Sequence, residues 1–133
     1  MFSRLAHAIG NIKVGVQTKK LKVSCVSNKL IKQILRKLIH EGLIRGFGKN
    51  FSKPFQIYIY LKYDSHMVSV IKDIKLISTC GHRVYFSFKD VKRAYKTGQF
   101  YLLTTDKGIF TINEIIMLNL QVGGEVILKI TYL

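Results

Sequence analysis

The sequence predicts an α+β protein of two small lobes: an N-terminal α-β-α-β-β lobe over residues 1–65 and a mostly β lobe with one short helix over residues 66–133. Two opposed periodicities predict it. Leu30, Ile31, Ile34, Leu35, Leu38 and Ile39 recur at helical spacing, whereas Phe55, Ile57, Ile59, Leu61 and Tyr63 alternate with Gln56, Tyr58, Tyr60 and Lys62. A polar stretch, Asp64-Ser65-His66, follows that strand and marks the expected boundary. With 48% hydrophobic residues in 133, there is enough apolar side chain for a packed core rather than a disordered chain.

Taken in order, Leu5, Ala8, Ile9 and Ile12 predict a first structural helix in place of a targeting peptide. Gly15 and the polar run to Lys20 read as a loop, and Leu21 to Val26 as a short strand. Ser27 is the predicted N-cap of the second helix, which Gly42 closes at C′. The polar face of that helix lines up Lys29, Lys32, Arg36 and His40. Leu43-Ile44 then leads into a predicted Gly-rich turn at Gly46 and Gly48. Pro54 precedes the alternating strand, where a missing amide matters little. In the second lobe, the latter half of Val68 to Ile77 is strand-like, and Gly81 to Tyr85 is a turn and then a strand. Lys89 to Lys96 is a charged segment, and Phe100 to Leu103 is a strand. Thr111 and Glu114 fit a capping box opening a short helix, and Glu125 to Tyr132 ends the chain as a strand.

Charge narrows the function. Lys and Arg number 22 against 7 Asp and Glu, a formal net charge of +15, which a polyanionic partner would neutralise. The lysines are spread along the chain instead of being massed on one amphipathic helix, and no apolar run approaches the ~20 residues of a membrane span. Cys25 and Cys80 stand far apart and lack a CxxC spacing, so two buried thiols in a reducing compartment are expected and a zinc site is not. The four histidines fall in different elements and the acidic residues stand singly. With no phosphate-binding loop or nucleophile elbow either, the expectation is a non-enzyme with no cofactor and no small-molecule substrate.

The segment Thr104-Thr105-Asp106-Lys107-Gly108 is the leading candidate site. Two hydroxyls, a lysine and a glycine that permits close approach or positive φ suit the shallow minor groove of an RNA duplex. The same residues would also make an ordinary hairpin turn. Thr111, opening a helix nearby, would favour a phosphate. Tyr85, after Arg83, either stacks on a base or ribose or fills the core. The Lys29 face either contacts phosphates or is simply solvated.

Five ordered motifs resemble the universal small-subunit ribosomal protein eight family in its bacterial and organellar form. Thr104-Thr105-Asp106-Lys107-Gly108, a short helix and Gly123-Gly124-Glu125-Val126-Ile127 follow its Ser-Thr-Ser-(Lys/Arg)-Gly and Gly-Gly-Glu signature. Ser27-Asn28-Lys29-Leu30, Glu41-Gly42-Leu43-Ile44, Lys53-Pro54 through Leu61-Lys62-Tyr63, and Gly81-His82-Arg83-Val84-Tyr85 are similar to its other elements. The resemblance implies two lobes, both touching a central-domain helix of small-subunit rRNA, with neighbouring small-subunit proteins and no homo-oligomer. It implies RNA contacts from Thr104, Thr105, Lys107 and Gly108, joined or supported by Arg83, Tyr85 and Glu125, with Lys29, Lys32 and Asn11 from the first lobe. Ala8 and Gly10 stand where the family carries arginine, and Asp106 where it carries serine. These departures, with a Lys-, Ile-, Phe- and Tyr-rich composition of AT-rich type, imply an organelle-encoded mitochondrial copy, the alternatives being plastid or bacterial cytoplasm. A free-standing structured-RNA-binding regulator is the alternative function.

Overall fold

The computed structural model describes residues 2–79 and 81–132. These form two compact units, Met1–Lys72 and Asp73–Leu133. In the first, the apolar stripe carries α1 (Phe2–Gln17) further than the sequence predicts, burying Leu5, Ala8, Ile9 and Ile12. Gly15 lies inside this helix and not in a loop. Its missing side chain lets α1 sit against the sheet, since a Cβ there would stand 2.5 Å from Val23 Cγ1. The turn comes after Gln17, where Lys19 takes a φ of +57°.

β1 (Lys22–Val26), β2 (Ile44–Lys49) and β3 (Gln56–Leu61) form an antiparallel sheet in the order β1-β3-β2. Ile57, Ile59 and Leu61 point inward as the alternation predicts. Phe55 does not join them, because the strand begins at Gln56 and leaves Phe55 61% exposed in the preceding turn. Gly46 and Gly48 form no turn either. They lie within β2, where pairing with β3 overrides glycine's weak strand preference and a register shift absorbs the irregularity between Ile44 and Gly46.

Helix α2 (Lys29–His40) buries Ile31, Ile34, Leu35 and Leu38. Its N-cap is Asn28, one residue after the predicted Ser27; the Asn28 side chain accepts from the Leu30 amide at 2.9 Å. Ser27 instead donates its amide to the Phe55 carbonyl at 2.8 Å. Gly42, with φ +77°, closes α2 as a Schellman motif, Leu43 N–H reaching the Leu38 carbonyl and Gly42 N–H that of Ile39. Beyond Asp64-Ser65-His66 the chain folds back onto the same unit. The Asp64 amide donates to the Val68 carbonyl, the Val70 amide donates to the Lys62 carbonyl, and Tyr63 pairs with Ser69.

The second unit is built on β8 (Gly124–Thr131), whose buried Val126, Ile127, Leu128 and Ile130 run through the middle of an antiparallel sheet. On it pair β4 (Asp73–Leu76), β5 (Tyr85–Phe86) and β6 (Gln99–Thr105), and β6 in turn pairs β7 (Gly108–Thr111). This unit holds two helices where the sequence predicts one. The charged segment is α3 (Phe88–Ala94), started by a Ser87–Asp90 capping box and anchored by buried Val91. Amide and hydroxyl hydrogen bonds from Ser87 hold the Asp90 carboxyl below its ordinary range. α4 (Ile112–Met117) is capped as predicted and buries Ile112 and Ile115.

Cys25 is buried, and desolvation pushes its thiol up to about 11, which makes it a core residue and a poor nucleophile. Cys80, the other expected buried thiol, lies outside the described residues. Among the described residues no cluster of three or more His, Cys, Asp or Glu could hold a metal ion, and no helix is long and apolar enough to cross a membrane.

Candidate nucleic-acid interface

The candidate loop is the turn of the β6–β7 hairpin. Thr105 pairs with Gly108, leaving Asp106 and Lys107 at the tip. The Thr105 hydroxyl accepts from the Lys107 amide at 3.2 Å and donates to the Gly108 carbonyl at 2.9 Å. Only 9% of Thr105 is exposed. Gly108 takes a φ of +125°, a conformation that glycine alone adopts at little cost. The turn reading is met by Thr105 and Gly108, and other residues of the loop stay exposed. Thr105 holds the turn, whereas Thr104, Asp106, Lys107 and Gly108 are exposed.

Two glycines bring this hairpin against the rest of the unit. A Cβ on Gly124 would strike the Thr104 carbonyl, and one on Gly123 would strike the Phe86 carbonyl. Three backbone segments thus converge where β8 begins, closer than any side chain would permit. The register places Glu125 between Tyr85 on β5 and Thr104 on β6. Arg83 Nη1 lies 3.1 Å from Glu125 Oε1, an ion pair on that carboxylate. Tyr85 is 66% exposed, so the core reading of this residue is wrong; its two-residue strand lies at the sheet's margin and turns the ring outward.

The result is an open groove of about 510 Å³ lined by Tyr85, Thr104, Thr105, Asp106, Gly124 and Glu125, together with the Gln121–Gly123 approach to β8. An exposed ring, an exposed hydroxyl and bare backbone face one concavity. Those groups can stack on a base or ribose and hydrogen-bond a hydroxyl.

A family model described as Ribosomal protein S8 matches residues 3–131. The chain belongs to the ribosomal protein S8 family. It is 35% identical to small ribosomal subunit protein uS8 of Orientia tsutsugamushi (strain Ikeda), covering 98% of each chain. It is 37% identical to small ribosomal subunit protein uS8m of Acanthamoeba castellanii, covering 96% of this chain and 98% of that one. With uS8m of Dictyostelium discoideum the identity is 28% over 92% of this chain.

For this member of the S8 family, the structure gathers Arg83, Tyr85, Thr104, Thr105, Lys107, Gly108 and Glu125 at or beside one groove. Asn11, Lys29 and Lys32 belong to the first unit and form no part of it. Asn11 donates its side-chain amide to the Ser24 carbonyl at 2.8 Å, tying α1 to β1. Lys29 is exposed at the first residue of α2, and Lys32 is half-buried. The expected phosphate site at Thr111 is corrected. Thr111 is fully buried, and the Glu114 carboxylate already caps that helix start. Gln121 and Val122 also line the groove; their only sequence signal is adjacency to Gly123-Gly124.

Proposed function

We propose that this S8-family chain is a structural constituent of the small ribosomal subunit whose second unit grips the minor groove of a central-domain rRNA helix. The convergence of β5, β6 and β8 at Gly123 and Gly124 carries the reading, because it presents Thr104 and Tyr85 on backbone that an RNA groove can approach closely. Thr104 is the hydroxyl that meets a ribose or base edge, and Tyr85 is the stacking surface. Thr105 and Gly108 shape the turn, Lys107 meets phosphate, and Arg83 keeps Glu125 oriented and its charge balanced. Lys29 and Lys32 add phosphate contacts that position the first unit without reading sequence.

The role is structural, not catalytic, and the partners are rRNA and neighbouring small-subunit proteins, each ribosome holding one copy. The uS8m relatives and the AT-type composition support a mitochondrial ribosome, and the Orientia relative keeps a bacterial one as the alternative. The test is a footprint of the full-length protein on a central-domain rRNA transcript across a salt series. One protected helix is expected, with affinity falling steeply as salt rises. Salt-insensitive binding, or equal affinity for unrelated duplexes, overturns the reading. Release of the protein from subunits in a high-salt gradient would instead favour a free-standing regulator.

A further inference from the structure

The β2–β3 loop, Asn50 to Phe55, belongs to the first unit. It carries Phe51 at 92% exposure and Phe55 at 61%. Large aromatic side chains so exposed on a chain of ordinary hydrophobic content call for a partner. Their loop is held firmly. Asn50 is buried, and its side-chain oxygen accepts from the Ser52 amide at 3.1 Å and the Lys53 amide at 3.3 Å. The Gln56 amide donates to the Lys53 carbonyl at 2.9 Å, and Phe55 is fastened through its carbonyl to Ser27 at 2.8 Å. A partner therefore meets a loop whose backbone is already in place, with only side chains left to order.

Charge selects the partner. From Leu43 to Tyr63 the sequence has no Asp or Glu, while Arg45, Lys49, Lys53 and Lys62 are basic. A cleft of about 230 Å³ beside the loop is lined by Phe51, Pro54 and Gln56 and also by Lys32 of α2 and Lys49 of β2. Rings interleaved with lysines, without a carboxylate, suit a polyanion that also offers flat apolar faces.

We infer that the Asn50–Phe55 loop is a stacking platform for unpaired nucleotides of an RNA, with bases on Phe51 and Phe55 and their phosphates on Lys32 and Lys49. This rests on the RNA-binding reading and adds a second, single-stranded mode to it. Stacking of this kind tolerates any base. The platform therefore adds affinity next to a recognised helix without adding sequence preference.

The test uses full-length protein and a central-domain RNA hairpin, blunt or with a short oligoadenosine extension, in a fluorescence anisotropy titration at fixed salt. The parent is expected to bind the extended hairpin about tenfold more tightly than the blunt one, the contribution of one or two stacked bases. The double variant Phe51→Ala/Phe55→Ala loses that preference and keeps its blunt-hairpin affinity, while Phe51→Tyr/Phe55→Tyr restores it. A parent without the preference, or a double variant that retains it, overturns the inference. So does a double variant with unchanged RNA binding that fails to join subunits, since a protein neighbour would then cover the rings. Free oligoadenosine separates this inference from the groove reading. Capture by the parent and not by the double variant supports the platform whether or not the blunt hairpin binds.

Discussion

The groove of the second unit and the basic surface of the first offer contrasting ways to meet the same polymer. In the groove, the proposed recognition rests on backbone: Gly123 and Gly124 let three strands approach until Thr104, Tyr85 and Glu125 share one concavity. On α2 it would rest on long side chains, Lys29 exposed and Lys32 half-covered, which can reach a phosphate from many geometries. Fixed backbone discriminates between shapes, whereas flexible cations mainly raise affinity. The strong positive charge and the shaped groove are separate contributions that fail in different ways.

The largest effect expected is at Gly124. Gly124→Ala drives a methyl into the Thr104 carbonyl and should cost about 3 kcal/mol in urea-unfolding stability, the upper range for overpacking, together with the rRNA footprint. Gly46→Ala, with open space around its Cβ, should change stability by less than about 0.5 kcal/mol. Next is Tyr85→Ala, expected to lower affinity by about 2 kcal/mol in a binding titration while leaving the unfolding midpoint in place, because the ring is exposed. A parallel loss of stability would return Tyr85 to a structural role.

The two threonines sharpen the contrast within one hairpin. Thr105→Val should cost about 1 kcal/mol of stability through its lost turn hydrogen bonds, and Thr104→Val about 1 kcal/mol of RNA affinity with stability unchanged. Equal behaviour of the two would erase the division between turn-holder and RNA contact. On the other side, Lys29→Ala should weaken all duplexes alike and reduce the salt slope by about 1, the signature of one lost phosphate contact.

The smallest effect concerns pH. The folded-state pKa of Asp90 is lowered, so its stabilisation of α3 is fully present above the ordinary carboxylate range and is lost as pH falls through that range and below. Asp90→Asn should flatten that acid limb in circular dichroism, and an unaltered limb would mean that the cap contributes nothing.

Much of this was legible because local signals and tertiary packing agree. The stripe on α2, the alternation in β3 and the Thr111–Glu114 box each state their element outright. The failures have physical causes. Gly15 and Gly46 look like punctuation, yet one is a contact point for a helix and the other a paired strand residue, and only the partner strand reveals it. The α3 segment hides its helix because, in a run rich in Lys and Arg, the sole buried anchor is Val91. At the site, motif spacing singles out the residues beside the groove along with Asn11, Lys29 and Lys32 of the other unit, and it carries no division of labour among them. That Thr105 faces the turn and Tyr85 faces solvent follows from strand register, which a single sequence does not display.

The Gly123–Gly124 step also determines where this molecule is free to change. With backbone pressed on both sides of that step, and with any one-residue slip of β8 carrying Glu125 to the opposite face, the groove's floor cannot drift. Its rim can. Asp106 and Lys107 occupy the hairpin tip at negative φ, exposed, where almost any side chain is compatible with the turn. An aspartate in place of the family's serine is thus a change the fold registers hardly at all. A ribosome whose RNA diverges quickly would be matched by substitution at these two tip positions, while the glycines beneath them stay as they are.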